Sequence, residues 1–251
     1  MKNIKGPLLS WASILLLLII WKTLSVIVGA EVILPSPESV LKSLFSVVTD
    51  GNFLKRLSST LFRGITGFFI SFSLGLIIGV LAGIFKTFRR LVAPLISIIR
   101  STPVMAIILL ALIWFNVNYV PIFVAFLMAF PIICGNLIEG ITTVDKNLLE
   151  MAKSYKIPLK KQILQIYIPS IVPFIIASAS LSLGVIWKVI VAAEVLSQPK
   201  WGIGTSLNEA KAFLLTEEVF AWTVIAISLS AISEYIFSLI SNKLLWRKYE
   251  H

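Results

Sequence analysis

The residues able to do chemistry in this chain are few, and most familiar constellations are missing. The one histidine is His251 and the one cysteine is Cys134. This removes an imidazole general base, an intrachain disulfide and any cysteine-based metal cluster. No Gly-x-x-x-x-Gly-Lys-Ser/Thr phosphate loop occurs, and Gly202-Ile203-Gly204 lies between apolar runs, where it reads as a turn. What remains is a set of charges inside or beside apolar segments: Lys22, Arg100, Lys188, Glu194 and Glu234. A charge at mid-bilayer costs at least ~2.5–3.5 kcal/mol on insertion scales, so each must reach an interface, find a partner or face a polar interior. Lys22 reads as snorkelling to the interface. Glu234 reads as one half of a structural pair with a neighbour. Arg100 precedes Pro103, whose missing N–H frees backbone carbonyls, so the guanidinium either lines a cavity at the break or caps those carbonyls. Lys188 and Glu194 are six residues apart and point to different faces of a helix, so a direct pair between them is not expected. Arg100, Lys188 and Glu194 are the candidates for lining a path through the membrane.

The elements that carry these charges follow from composition. Of 251 residues, 58% are hydrophobic and 14% charged, with a mean hydropathy of +0.96. Soluble domains carry roughly 25% charged residues, so this chain's solvent is lipid and its fold class is all-α membrane protein. The excess of 22 Lys and Arg over 12 Asp and Glu then bears on loop retention, not on nucleic acid. Uncharged runs predict six spans at about 8–28, 64–85, 91–115, 119–138, 167–191 and 219–241. The first could instead be a cleaved signal peptide, but its bulky run through Trp21 and Lys22 suits an anchor. The 38 uncharged residues from Ser101 to Ile138 are nearly twice one crossing, so the chain must turn within them, at Asn116, Asn118 and Pro121. In the second span Gly75, Gly79 and Gly83 stand four apart and make a smooth stripe for a helix–helix contact. With the N-terminus inside, 13 basic residues fall in inner segments, six in outer ones and three within spans. Both termini are therefore expected in the cytoplasm, and residues 1–251 read as one membrane domain.

The longest inner segment, 139–166, is patterned. Leu148, Leu149, Ala152 and Tyr155, then Leu159, Ile163 and Ile166, recur at helical spacing. Pro158 disfavours the α region at Ile157, so a short helix should end near Lys156 and a second begin near Pro158. Composition alone leaves two readings for this helix–turn–helix: a segment lying on headgroups, with Lys153, Lys156, Lys160 and Lys161 toward phosphate, or a docking elbow.

On these residues the chain resembles the permease subunits of binding-protein-dependent ATP-binding cassette importers. Their cytoplasmic loop carries Glu-Ala-Ala, three residues, Gly, nine residues, Ile, one residue and Leu-Pro. Here the same spacing reads Glu150-Met151-Ala152, Lys156, Ile166 and Ile168-Pro169, with Met151, Ile168 and above all Lys156 departing from the pattern. Without the glycine the elbow either holds a lysine at positive φ, at a cost of ~1 kcal/mol, or turns differently with the help of Pro158. Leu34-Pro35-Ser36-Pro37 with Val40, Ile99-Arg100-Ser101-Thr102-Pro103 leading to Leu112-Ile113-Trp114-Phe115, and Val191-Ala192-Ala193-Glu194 before Gly202-Ile203-Gly204 are similar to the nitrate, sulfonate and taurine branch. That branch includes importers of thiamine-precursor pyrimidines and riboflavin. The resemblance implies a type I importer fold in a prokaryotic inner membrane. It also implies a second permease copy, an extracytoplasmic solute-binding protein, and a separate ATPase subunit that takes the elbow through Glu150, Ala152, Lys156, Ile166 and Pro169. No cofactor is implied and this polypeptide hydrolyses nothing. The alternative from another class is an ion-coupled secondary transporter, for which only Glu234 is available.

Overall fold

The computed structural model describes the backbone of residues 5–246 and the side chains of residues 12–241. Lys2, Arg247 and Lys248, three of the 13 basic residues counted in inner segments, and His251 lie outside the described residues. The described chain is helical throughout, in the order α1 (Lys5–Val28), α2 (Pro37–Thr49), α3 (Phe53–Ile84), α4 (Lys86–Ser101), α5 (Val104–Trp114), α6 (Val120–Thr142), α7 (Lys146–Ser154), α8 (Leu159–Gln162), a π-helical turn (Ile163–Tyr167), α9 (Ile168–Ser197), α10 (Ile203–Ala212) and α11 (Thr216–Trp246).

Four of these helical stretches, 53–84, 120–142, 159–197 and 216–241, are long and apolar enough to cross a membrane, and the bent pair α4–α5 adds a fifth if its two halves are counted as one span. Within α1, the part whose side chains are described, Ala12–Val28, is apolar. The expected third span, 91–115, is not one straight element: its halves meet at 101°. Thr102 stands before Pro103 with ψ of 127°, as the proline ring demands of its predecessor, and Pro103 has no N–H with which to continue the ladder of α4. Other boundaries also move. Helix α3 starts at Phe53, well ahead of residue 64, because Lys55, Arg56 and Arg63 ride on the helix without breaking it. Helix α6 runs on to Thr142, and α8 passes through the π turn directly into α9.

The core is α6, packed between α3 and α9. Along α3 the stripe Gly67, Ser71, Gly75, Gly79 and Gly83 is buried. A methyl group added at Gly67, Gly75 or Gly79 would come within 2.9 Å of Ala125, Ile133 or Leu137 of α6. The two backbones approach closely because no side chain stands between them, and the stripe is the helix contact its spacing announces. On the other flank Ile186 and Ile190 of α9 close over Ala129, Ile133 and Leu137. Leu34-Pro35-Ser36-Pro37 is a helix start: the Ser36 hydroxyl accepts the Ser39 N–H at 3.2 Å and Pro37 opens α2. Lys22 reaches out of α1 to Glu38 at 2.8 Å. The hydrogen bond from its ammonium is the main cause that holds the exposed Glu38 carboxyl below its ordinary range.

Candidate functional site: an elbow and three separated polar groups

The elbow is built from local backbone rules. Asp145 caps α7 by accepting the Asn147 N–H at 2.8 Å. At the other end Ile157 N–H reaches Ala152 O at 2.9 Å and Lys156 N–H reaches Lys153 O at 3.0 Å, the paired bonds of a Schellman motif. Its left-handed position is Lys156, at φ 51°. Of the two turns open to the sequence, the chain takes the one that strains the lysine. Gln162 donates to Ile157 O at 2.8 Å and fastens α8 across the turn. Pro169 has no N–H for the ladder, and just before it the helix widens into the π turn, where Ile168 N–H bonds Ile163 O. Ile166 and Pro169 are both half-buried at this junction, and Glu150 is exposed.

The faces of the elbow differ from a simple reading of its period. Ala152 is fully buried within the chain itself. The exposed apolar groups of α7, α8 and the turn between them include Leu148, Met151, Tyr155 and Leu159, of which Tyr155 is 78% exposed. Lys153, Lys156, Lys160 and Lys161 are exposed around them.

The three path candidates do not converge. Glu194 is completely buried, where Arg63 Nη1 donates to its Oε1 at 2.6 Å. The Gly204 N–H bonds its Oε2 at 3.0 Å, and the Thr60 hydroxyl lies 2.9 Å from the same oxygen. Thr60 in turn accepts the Ile203 N–H at 2.9 Å, and Arg63 also donates to Trp201 O at 2.7 Å and Asn118 Oδ1 at 3.3 Å. One closed cluster thus joins α3, α9, the start of α10 and the turn before α6. Gly202 and Gly204 are glycines because a Cβ on either would strike Glu194. In this conformation Glu194 has no surface to offer a solute. Arg63 is one of the six basic residues that the sequence assigns to outer segments, and Asn118 marks only a turn there. The available signal was that an arginine heading a long uncharged run needs an acid at the same depth.

Arg100 is exposed on α4 and faces Gly135 of α6 across a cavity of ≈ 320 Å³ that also takes in Ser97 and Arg89. Arg89 is engaged, donating to Ala82 O and Gly83 O at 2.8 Å each, whereas Arg100 has no hydrogen bond or ion pair among the described residues. Lys188 is exposed in a separate cavity between α9 and α11 that it shares with Glu234. The described residues hold no grouping of His, Cys, Asp and Glu able to bind a metal.

The comparisons with known proteins agree with this architecture. The chain is similar to the putative aliphatic sulfonates transport permease protein SsuC of Bacillus subtilis (strain 168), with 29% identity over 91% of this chain and 83% of that one. It is 26% identical to the taurine transport system permease protein TauC of Escherichia coli (strain K12), over 86% and 80% of the two chains. An inward-facing structure of the methionine ABC transporter MetNI superposes with a TM-score of 0.60 over 77% of this chain and 94% of that one; at 14% identity this speaks for the fold. The family model described as "binding-protein-dependent transport system inner membrane component" matches residues 74–251, taking in α6, the elbow and α9. The chain therefore belongs to that family and is the non-enzymatic membrane subunit of an ATP-driven importer, working with a separate ATPase and a solute-binding protein.

Proposed function

We propose that the chain crosses a prokaryotic inner membrane six times with both termini in the cytoplasm, that two copies enclose the path, and that the α7–α8 elbow drives them from the ATPase. The crossings are α1, α3, the bent pair α4–α5, α6, α9 and α11, with α2 and α10 on the outer side. The observation that carries this reading is the elbow. A turn closed by two backbone bonds exposes Leu148, Met151, Tyr155 and Leu159 and runs without interruption into α9, so a push on those side chains moves a packed core helix. Glu150 lies on the exposed side, Ala152 seats α7 on its own chain, Lys156 sets the turn, and Ile166 with Pro169 forms the joint to α9.

The cargo is a small solute bearing an oxyanion group. The relatives named for sulfonates and taurine support this, as does Arg100, a guanidinium free of acidic partners at the bend of a broken helix. A neutral pyrimidine or flavin would make no use of it. Lys188 is a second path residue, and Glu194 acts behind the path by fixing α10. Met151→Asp tests the coupling, because an aspartate pushed into an apolar groove is an unpaired buried charge. The expected result is a folded permease that no longer retains the ATPase on purification, and retention with normal solute-stimulated ATP hydrolysis would overturn the assignment.

A further inference from the structure

We infer that the groove between α9 and α11 is a binding site for a small zwitterion, with the anionic end on Lys188 and the ammonium end on Glu234. The inference rests on the importer reading above and narrows its cargo to solutes carrying both charges. The groove has a volume of ≈ 340 Å³, within the usual range of about 300–1,000 Å³ for small-molecule sites. Its walls are mostly apolar, made by Trp187, Val191, Leu207, Ala226 and Ile227, and among the described residues its charges are Lys188 and Glu234. Lys188 lies roughly 14 Å along α9 from the end of the helix at Ser197.

The two charges face one space without closing on each other. They form no ion pair, and the hydrogen bond shown for the Glu234 carboxylate is from Ser230 Oγ at 3.2 Å. Gly184 makes room for that carboxylate: a Cβ there would stand 2.9 Å from Glu234 Oε1. Gly184 and Lys188 are four residues apart on α9, hence on one helix face, so the acid lies against the face that carries the ammonium. Trp187 lines the same groove as an apolar wall, its indole N–H being buried and without an acceptor among the described residues. The six-membered ring of that indole fills the space over Gly64 of α3, which turns the pyrrole edge away from α3.

Charges left unpaired among apolar walls are costly, and a solute with an ammonium and an oxyanion compensates both while adding no net charge. A solute with an oxyanion alone would satisfy Lys188 but meet repulsion from Glu234, so the acid discriminates against simple anions.

The test is saturation-transfer NMR on the permease–ATPase complex in nanodiscs, with taurine, ethanesulfonate and ethylammonium as probes. Taurine is expected to bind at least tenfold more tightly than either single-charge probe. Lys188→Met should abolish the taurine signal, and Glu234→Gln should bring ethanesulfonate to within threefold of taurine. The wild-type comparison decides the matter even if a variant fails to fold: absent taurine binding, or equal binding of taurine and ethanesulfonate, would overturn the site. So would a taurine signal that persists undiminished in a folded Lys188→Met complex. Retention of the ATPase by wild type in the same preparation tests the importer reading separately, so the two failures are distinguishable.

Discussion

Lys156 stands at φ 51° in a turn position that glycine occupies at least cost. Lys156→Gly should therefore raise stability by about 1 kcal/mol, read as a higher midpoint in denaturant unfolding of the purified permease, with the elbow unchanged. Among the buried charges the balance is opposite. Arg63 and Glu194 are sealed together, so removing one leaves the other unpaired, and Arg63→Met should destabilise by about 3–5 kcal/mol in the same measurement. The surface pair is a milder case. The Glu38 carboxyl is lowered by Lys22, so the pair's contribution is fully present above the ordinary carboxyl pKa and is lost as pH falls through the lowered value. In a sample with ¹³C-labelled glutamate, the Glu38 carboxyl should titrate below the usual glutamate range, and Lys22→Met should return it upward.

At the scale of helices, the α3–α6 contact depends on missing side chains. Gly75 lies against Ile133, where even one added methyl would come within 2.8 Å, and the opposing atoms belong to a buried, packed side chain. Gly75→Val must separate the two helices, and overpacking of this kind costs about 1–3 kcal/mol or more. A lower thermal midpoint and reduced yield of monodisperse protein are expected, while Gly51→Ala, with open space around it, should behave as wild type in the same assay. The bent pair shows how sequence and packing divide the work. Pro103 announced an interruption, but the 101° angle is set by where α5 finds its apolar partners, with Ile107, Ile108 and Ala111 seated against Val120 and Val124 of α6.

For the whole molecule, the proposed orientation makes the elbow and the Arg63–Glu194 cluster opposite ends of one helix, α9. In a Cys134→Ser background, single cysteines at Asn52 and Lys200 should react with a membrane-impermeant maleimide in intact cells, and one at Lys160 only after lysis. Labelling of Lys160 from outside would reverse the orientation and remove the basis for ATPase docking.

The sequence alone was enough to show that the chain is a helical membrane protein, that a glycine stripe packs on another helix, and that a helix–turn–helix lies ahead of α9. Those features rest on composition and on periods of three and four residues, which any local window contains. It could not assign partners across the bundle. Arg63 and Glu194 are 131 positions apart, and nothing local distinguishes an arginine in a loop from one turned inward to meet a carboxylate. Ala152 belongs to the apolar face by its period, but only packing decides that it is covered by its own chain while Met151 and Tyr155 face outward. Lys188 and Glu234 come to share a groove for the same reason: α9 and α11 pack on each other and on α10, and the space left between them is a property of the assembled bundle, not of either helix.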